Sequence, residues 1–294
     1  MKRTMILILA TALPLCAGAQ RDSLVTVFWN LENFFDTKGG GVSDSEMEFS
    51  SSGVRHWTWR RFSTKRDAVA KMLLRIGDRY GRMPDVVGFA EIENRYVVES
   101  LVKDTPLRKL GYGIVHFDSP DHRGIDCALI YRLDRLTLDG AVPKHLYDSD
   151  GAVMHTRDIL LARFDSLAVL VNHHPSKVGA GSSGRRNAAL ERLGYLCDSL
   201  ELTGCGRIVA MGDFNEDLWH TTEGKGTIKY QGRWEKIDGC FVRGVDFVED
   251  VFEDVLLLEK DAAYGGMKPR RTYSGPRYHG GISDHLPIVV MVYF

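Results

Sequence analysis

The sequence lacks several features that would place it in a specialised class of protein. It contains no apolar run of the roughly 20 residues that a membrane-spanning helix needs. It has no internal repeat and no low-complexity tract, and its 44% hydrophobic and 26% charged residues are typical of a globular chain. Its five cysteines form no C-x-x-C pair and no His/Cys spacing of the structural-zinc kind. These absences leave a globular protein with a sizeable core.

The first 19 residues have the order of a secretory signal peptide. A charged Lys2-Arg3 start precedes an apolar segment over Met5–Leu15, and Ala17-Gly18-Ala19 provides an A-x-A cleavage site. We therefore expect this stretch, residues 1–19, to be removed. The remainder, residues 20–294, is then the exported protein, either periplasmic or secreted, and is expected to be a single domain and a monomer.

The charge of the mature chain excludes a general polyanion-binding surface. Removal of the leader takes away Lys2 and Arg3 but no acid, which leaves 36 basic and 39 acidic residues and a net charge of −3. Any binding of nucleic acid or phosphate therefore has to come from local clusters. Lipid attachment through Cys16 is not favoured, because the preceding residue, Leu15, is not small.

Four cysteines remain after the leader is removed: Cys127, Cys197, Cys205 and Cys240. Three of them have apolar neighbours and are expected to be core thiols. Cys197 and Cys205 can alternatively pair in an oxidising compartment, and the sequence leaves this alternative open.

Strand patterns outnumber helix patterns along the chain. Besides the apolar stretch that runs into Gly212, the predicted strands are Ser23–Trp29, Val86–Ala90, Tyr112–Phe117, Ile125–Arg132, Asp158–Phe164, Leu167–Asn172, Ile237–Val242 and Leu286–Phe294. Three helices are predicted. The first begins at Thr64 with a Thr-x-x-Asp cap and ends at Gly77 and Gly81. The second covers Arg95–Asp104 and is capped by Asn94, and the third covers Arg185–Leu202. Residues 37–53 are predicted to be an exposed loop. This pattern favours one α/β domain with sheet packed on sheet and helices outside.

Polar residues recur at the ends of these strands. They are Asn30 and Glu32, Glu91, His173, Asp213 and Asn215, and Asp284 and His285. In an extended chain, positions i and i+2 point to the same face, so Asp213 and Asn215 leave their strand side by side. A carboxylate beside an amide suits a water, a metal or a phosphate oxygen, although Gly-Asp-x-Asn is also ordinary turn chemistry. The joint occurrence of these clusters, rather than any one of them, indicates a site.

The order of six short motifs resembles that of the endonuclease/exonuclease/phosphatase superfamily. They are W-N-L-E at 29–32, G-F-A-E at 88–91, V-N-H at 171–173, G-D-F-N at 212–215, I-D-G-C-F-V at 237–242 and S-D-H-L-P at 283–287. The resemblance covers about residues 24–294. Within the superfamily, which includes pancreatic deoxyribonuclease, abasic-site endonucleases, bacterial sphingomyelinases and inositol polyphosphate 5-phosphatases, the chain is most similar to an exported bacterial branch. The resemblance implies a deoxyribonuclease I-like, four-layer α/β/β/α sandwich of two packed mixed sheets, with the site at one edge between them.

The resemblance also implies a metal site. Glu91 would be the main ligand of Mg²⁺, with Mn²⁺ or Ca²⁺ as alternatives, because hard divalent cations prefer carboxylate oxygens and keep several waters. Asn30 and Glu32 would line the same site, and Glu32 stands where some members carry Asp. Asp284 would add another carboxylate near the metal.

The remaining motif residues take catalytic roles by the same resemblance. Asp213 and Asn215 would hold the attacking water and a phosphate oxygen. His285 would be oriented by Asp238, since a carboxylate fixes the tautomer of an imidazole and raises its basicity. His173, favoured over His174 by the motif match, would face the phosphate or the leaving oxygen. Either Asp213 or His285 would act as the base.

Substrate contacts are predicted at the start of the last helix. Arg185 and Asn187 follow a Gly/Ser-rich loop, and basic side chains beside free helix N–H groups can hold a phosphate. A solvated helix start is the alternative for these residues.

Three functions are compatible with this pattern. The leading hypothesis is an exported, metal-dependent phosphodiesterase of the nuclease type, acting on a phosphate ester and potentially on nucleic acid. The alternative enzyme is a phosphatase or phospholipase C-type enzyme acting on an inositol phosphate or a sphingolipid. The third hypothesis is a non-catalytic binding protein with the same fold, which is disfavoured because Glu91, Asp213, Asn215 and His285 are all present.

Overall fold

The computed structural model describes residues 22–38, 43–177, 181–216 and 226–294. The predicted signal peptide and Cys16 lie outside these residues, as do residues 178–180 of the predicted Gly/Ser-rich loop. Within the described residues, no helix is both long enough and apolar enough to cross a membrane.

The described residues contain seventeen strands, which are numbered in chain order. They are β1 Ser23–Phe34, β2 Val86–Ile92, β3 Tyr112–His116, β4 Asp126–Arg132, β5 Gly140–Lys144, β6 Ile159–Phe164, β7 Leu167–His173, β8 Arg207–Asp213, β9 Ile228–Tyr230, β10 Arg233–Glu235, β11 Asp238–Arg243, β12 Asp246–Val251, β13 Leu258–Lys260, β14 Met267–Pro269, β15 Tyr273–Ser274, β16 Arg277–Tyr278 and β17 Ile288–Tyr293. The helices are α1 Asp44–Glu48, α2 Trp59–Tyr80, α3 Arg95–Lys103 and α4 Ser182–Leu202, with a 3₁₀ turn over Pro106–Lys109.

Two large mixed sheets form the body of the protein. The first sheet has the order β12-β17-β1-β2-β4-β3, and the second has the order β11-β8-β7-β6-β5. The pairs β1–β2 and β7–β8 are parallel, and the other neighbours within these two sheets are antiparallel. The parallel pairs run side by side at the centre of each sheet, so their carboxyl ends define one edge of each.

The side chains of β7 show how four layers arise. Alternate residues of a strand point to opposite faces. Val169 and Val171 pack in the core between the two sheets, whereas Ala168 and Leu170 pack in a second core with α4. The helices α2 and α3 cover the outer face of the first sheet with buried residues such as Val69, Leu73, Ile76, Val97 and Leu101. The predicted α/β/β/α sandwich is therefore confirmed.

The start of the first long helix was predicted wrongly. The helix begins at Trp59 with Thr58 as its N-cap residue, so Thr64 lies inside it and donates its hydroxyl to the carbonyl of Arg60. The Thr-x-x-Asp signature is thus a side-chain-to-backbone bond within a helix rather than a cap. The helix also passes through Gly77 and ends at Gly81, whose φ of 77° suits glycine.

Residues 37–53 are not loop throughout, as the sequence prediction had it. They contain the short helix α1, which begins with a capping box: Glu46 N–H donates to the Ser43 hydroxyl, and Ser43 N–H donates to the Glu46 carboxylate. A helix of five residues is too short to show the 3.6-residue apolar periodicity by which longer helices are recognised.

The helices α3 and α4 lie close to the positions predicted from the sequence. The helix α3 begins directly after Asn94, whose side chain accepts from Val97 N–H, and α4 begins three residues before the predicted Arg185. The inner face of α4 is buried at Ala189, Leu193, Leu196 and Leu200. All four described cysteines are buried and free, so Cys197 and Cys205 are core thiols and not a disulfide.

Candidate active site

Three neighbouring strands of the second sheet carry polar residues to the same edge. His173 ends β7, Asp213 ends β8 and Asp238 begins β11, and the pairing register places His173 opposite Asp213 and Asp213 opposite Asp238. The residue before Asp213 must be small, because a Cβ at Gly212 would lie 2.5 Å from both the Cβ and the carbonyl oxygen of Asn172. This glycine lets the central strands approach and aligns the three side chains.

Asp213 is the centre of the cluster. Its Oδ2 accepts from the Asn30 amide at 3.0 Å, and its Oδ1 accepts from Asn215 N–H at 3.0 Å. The Nε2 atoms of His173 and His285 lie 3.7 and 3.9 Å from Oδ2. Because Asn30 belongs to the first sheet, this carboxylate joins the edges of both sheets.

The environment of Asp213 moves the pKa of its carboxyl towards neutrality. Burial raises the pKa of this carboxyl to about 7, and repulsion from Asp238 acts in the same direction. The charge of His285 and the hydrogen bonds from Asn30 and Asn215 oppose this rise. A carboxyl with a pKa near neutrality is suited to exchange a proton during a reaction.

His285 is fixed in position by its ring and by its backbone. Its ring Nδ1 lies 2.8 Å from Asp238 Oδ2. Its backbone N–H donates to the Ser283 hydroxyl, and its backbone carbonyl accepts from the Trp29 indole N–H. Burial acts to lower the pKa of His285, but Asp238, Asp213 and Asp284 outweigh it and hold the pKa well above its usual value. These carboxylates therefore favour the charged form of the ring, whose Nε2 faces Asp213.

The first sheet contributes Asn30 and Glu91, which lie where the regular pairing of its parallel strands ends. Glu91 has a φ of 61°, a left-handed conformation that is uncommon outside glycine and that clusters at functional sites. Its Oε2 accepts from Asn33 N–H at 2.7 Å, while its Oε1 faces His173 Nε2 at 3.8 Å and accepts no hydrogen bond within the described residues. A carboxylate oxygen left open between the sheets fits a hard divalent cation.

Glu32 and Asp284 lie close to this region but are engaged elsewhere. Both carboxylate oxygens of Glu32 accept from the backbone, one from Thr272 N–H at 2.6 Å and one from Tyr273 N–H at 3.3 Å. Asp284 Oδ2 accepts from the Arg271 guanidinium at 2.5 Å, and its Oδ1 lies 4.0 Å from His285 Nε2. The structure thus joins Glu32 to the segment before β15 rather than to Glu91.

A buried lysine behind this segment was missed in the sequence. Lys65 on α2 donates to the carbonyl of Glu32 at 2.6 Å and to the Thr272 hydroxyl at 2.9 Å. Burial lowers the pKa of Lys65 to about 8, against the attraction of Glu32, Glu91 and Asp284. Its neighbours in the sequence, Ser63-Thr64 and Arg66-Asp67, are polar and gave no signal of a buried side chain.

The two adjacent histidines differ in what they face. His173 Nε2 points toward Glu91 and Asp213. His174 packs its ring edge-on against Phe214, and burial together with Arg157 lowers its pKa to about 3. Burial, with Arg157 and Arg123, also holds the pKa of His173 well below its usual value, so the surroundings favour the neutral form of both rings.

Arg123 is a second side chain that sequence reasoning missed. It lies in the segment between β3 and β4, and its Nη2 is 3.9 Å from Glu91 Oε1. Asp121 faces it at 3.8 Å and is itself paired with the buried Arg157 at 3.0 Å. The sequence marked this segment as polar residues between two predicted strands, and the pairing of Asp126 with Ile92 brings it near Glu91.

The predicted substrate contacts at the start of α4 lie outside this cluster. Arg185 and Asn187 line a groove of about 590 Å³ together with Tyr147, Arg192 and Tyr195. None of the predicted catalytic residues lines it. The neighbouring Arg186 turns instead toward the carbonyl of Ser176 and the carboxylate of Glu216, which follows the G-D-F-N motif.

A family model described as "Endonuclease/Exonuclease/phosphatase family" matches residues 25–222 and 217–293 of this chain. The chain belongs to this family. Members of the family are hydrolases that act on phosphodiester bonds and depend on a divalent metal. No curated protein sequence matches the chain.

Solved structures of the family share the fold at low sequence identity. The crystal structure of TDP2 from C. elegans has a TM-score of 0.56 and 14% identity, covering 95% of this chain and 78% of that one. An endonuclease/exonuclease/phosphatase family protein from Bacteroides thetaiotaomicron has a TM-score of 0.54 and 16% identity, covering 94% and 96%. D. rerio TDP2 complexed with a single-strand DNA product has a TM-score of 0.53 and 15% identity, covering 92% and 99%.

Proposed function

We propose that this protein is an exported, Mg²⁺-dependent phosphodiesterase of the nuclease type. The observation that carries the proposal is the buried Asp213 carboxylate, which is held by Asn30 and faced by two histidines, with the open Glu91 oxygen opposite. Both sheets contribute to this arrangement, so folding itself assembles the site. We infer that residues 20–294 act as one domain and one monomer after residues 1–19 are removed.

Glu91 and Asn30 would hold the cation. When bound, Mg²⁺ supplies Lewis acidity, which polarises the phosphoryl oxygen and stabilises the leaving oxygen. Mn²⁺ and Ca²⁺ share the preference for oxygen ligands and are the alternatives. Asp284, held by Arg271, would contribute charge beside the site rather than a direct ligand.

The protein's own groups handle the proton. We favour Asp213 over His285 as the base, because a pKa of about 7 leaves Asp213 able both to take a proton from water and to release it. His285, kept charged by Asp238, would donate from Nε2 to a phosphoryl oxygen. His173 is neutral and would hold the phosphate by hydrogen bonding from Nε2, which requires the proton on that nitrogen.

Two observations support a phosphodiester substrate in this proposal. Arg123 is only partly covered and points at the edge where the phosphate would sit, and an arginine fork matches phosphate oxygens. The D. rerio TDP2 structure of the same fold holds a single-strand DNA product. The net charge of −3 in the mature chain limits nucleic acid to contacts near the site.

A substrate panel tests the proposal. Purified residues 20–294 are incubated with plasmid DNA, RNA, sphingomyelin, an inositol phosphate and a chromogenic phosphodiester, each with Mg²⁺ and with chelator. We expect metal-dependent turnover of a phosphodiester that falls about 10²–10⁴-fold in Asp213→Ala and His285→Ala. Full activity in both variants would remove the site assignment, and turnover of the lipid or inositol phosphate alone would replace the nuclease with the alternative enzyme.

A further inference from the structure

A second cluster of ligand-type side chains lies at the base of the segment between β3 and β4. His116 is the last residue of β3, Asp126 is the first residue of β4, and Asp118 lies between them. One donor atom from each of the three lies within 4.8 Å of the others. The two strands pair side by side, so the backbone already holds both ends of the segment together.

The histidine of this cluster is buried without a hydrogen bond. Its side chain is 2% exposed, and its Nε2 finds no hydrogen-bond partner among the described residues. Asp126 Oδ2 lies 3.4 Å from this nitrogen, and Asp126 Oδ1 accepts from Ser119 N–H. Asp118 Oδ1 lies 3.9 Å from the other ring nitrogen, Nδ1, so its exposed side chain has to rotate to reach an ion bound at Nε2. A buried imidazole nitrogen is normally satisfied, so this orphan nitrogen calls for a partner.

We propose that His116, Asp118 and Asp126 bind a divalent first-row transition cation, with Zn²⁺ as the reference ion. Imidazole and carboxylate oxygens are ligands of such ions, and a three-ligand set leaves a position for water. With bonds of about 2.0–2.1 Å, a tetrahedral ion separates its ligand atoms by roughly 3.3–3.4 Å. The distance of 3.4 Å between His116 Nε2 and Asp126 Oδ2 already has this value.

The location gives the cation a structural role beside the catalytic site. Asp126 pairs with Ile92, the residue after Glu91, and the segment between β3 and β4 carries Arg123. A cation at the base of this segment would join its two ends and fix the direction of Arg123. The inference rests on the geometry of this cluster and is independent of the proposed reaction.

The competing explanation is a plain polar contact between a neutral His116 and Asp126. Such a contact binds no metal and depends little on Asp118, whose side chain is 91% exposed and whose Oδ1 lies 3.9 Å from His116 Nδ1. Asp118→Asn is therefore a discriminating change, since an exposed side chain can be altered without loss of folding.

The test is calorimetric titration of metal-free protein with Zn²⁺. Asp213, Asp238 and His285 could also take this ion, as could the proposed cation ligand Glu91, so the titration uses an Asp213→Asn/Glu91→Gln background. We expect one Zn²⁺ per chain and a Kd that Asp118→Asn raises at least about 10-fold. This is the lower end of the loss of metal affinity caused by mutating residues that hydrogen-bond to metal ligands. No binding in the background protein, or a Kd unchanged by Asp118→Asn, would overturn the proposal.

A second readout identifies the histidine. Co²⁺ bound at this site should give a visible absorption band that His116→Gln removes while the fold, followed by circular dichroism, is retained. If His116→Gln fails to fold, loss of the same band in Asp118→Asn supports the site. A band that survives in Asp118→Asn places Co²⁺ elsewhere and contradicts the proposal.

Discussion

Replacement of Asp238 by asparagine is the sharpest perturbation of the site, because it changes one charge and almost no volume. Asp238 Oδ2 lies 2.8 Å from His285 Nδ1, both side chains are buried, and Oδ1 has no hydrogen-bond partner in the described residues. The variant therefore removes the carboxylate that orients His285 and keeps it charged. It leaves His173, Asp213 and Asn30 in place.

The structure sets the size of the effect. A hydrogen bond to a charged group contributes about 1.5–3 kcal/mol, and we expect this loss in the free energy of unfolding near pH 6. Because the neighbouring carboxylates raise the pKa of His285, the pair stabilises the fold fully below the unfolded-state value of about 6.5, and this stabilisation is lost as pH rises through the folded pKa. The difference in the free energy of unfolding between variant and wild type should therefore become smaller as pH rises.

Activity gives the second measure of the same change. If His285 acts as a charged donor, Asp238→Asn should lower kcat/KM by about 10²–10⁴-fold. The limb of the pH profile that reports His285 should move to lower pH, since the variant lowers the pKa of the ring.

The assays are urea unfolding at several pH values and kcat/KM on a phosphodiester. Asp134→Asn is the matched control, because Asp134 pairs with Arg132 at the exposed surface, where a pair contributes about 0–1 kcal/mol. A value of kcat/KM within threefold of the control would refute the assigned role of Asp238, as would a stability gap that widens with rising pH.

Three further substitutions probe the same structure. Glu91→Gln should raise the Kd for Mg²⁺ at least about 10-fold with little change in stability, and unchanged binding by calorimetry would exclude Glu91 as the main ligand. Arg123→Lys should raise KM more than it lowers kcat, because a lysine lacks the bidentate fork, so an unchanged KM counts against phosphate contact. Lys65→Met should lower the free energy of unfolding by about 3–5 kcal/mol in urea, since it removes the buried cation that faces Glu32, Glu91 and Asp284; a loss below 1 kcal/mol would contradict this.

The sandwich was predictable because its central strands are apolar and continuous. The strands β7 and β8 are buried at nearly every residue, so periodicity and length identify them directly. The edge strands β5 and β12 were not predicted. Their exposed, mixed residues carry no alternating apolar signal, and pairing with β6 and β17 makes them strands.

The site was predictable only as far as motifs reach. Asp213 and His285 lie on strand ends that the sequence marks, and the structure brings them within 3.9 Å. Lys65 and Arg123 approach the same region from a helix and from a connecting segment, so their positions depend on tertiary packing. For Glu32, the sequence could not reveal that Thr272 and Tyr273, far away along the chain, offer both backbone N–H groups to its carboxylate.

Glu91 and Asp213 are proposed to form a metal-dependent phosphodiesterase site between the two sheets. The most direct measurement is turnover of a chromogenic phosphodiester by residues 20–294 with Mg²⁺, after chelation and after Mg²⁺ is restored, in the wild type and in Glu91→Gln. We expect activity that chelation abolishes and Mg²⁺ restores, and a variant at least about 10²-fold slower at the same Mg²⁺ concentration. Turnover that persists in chelator, or that is equal in the variant, would contradict it.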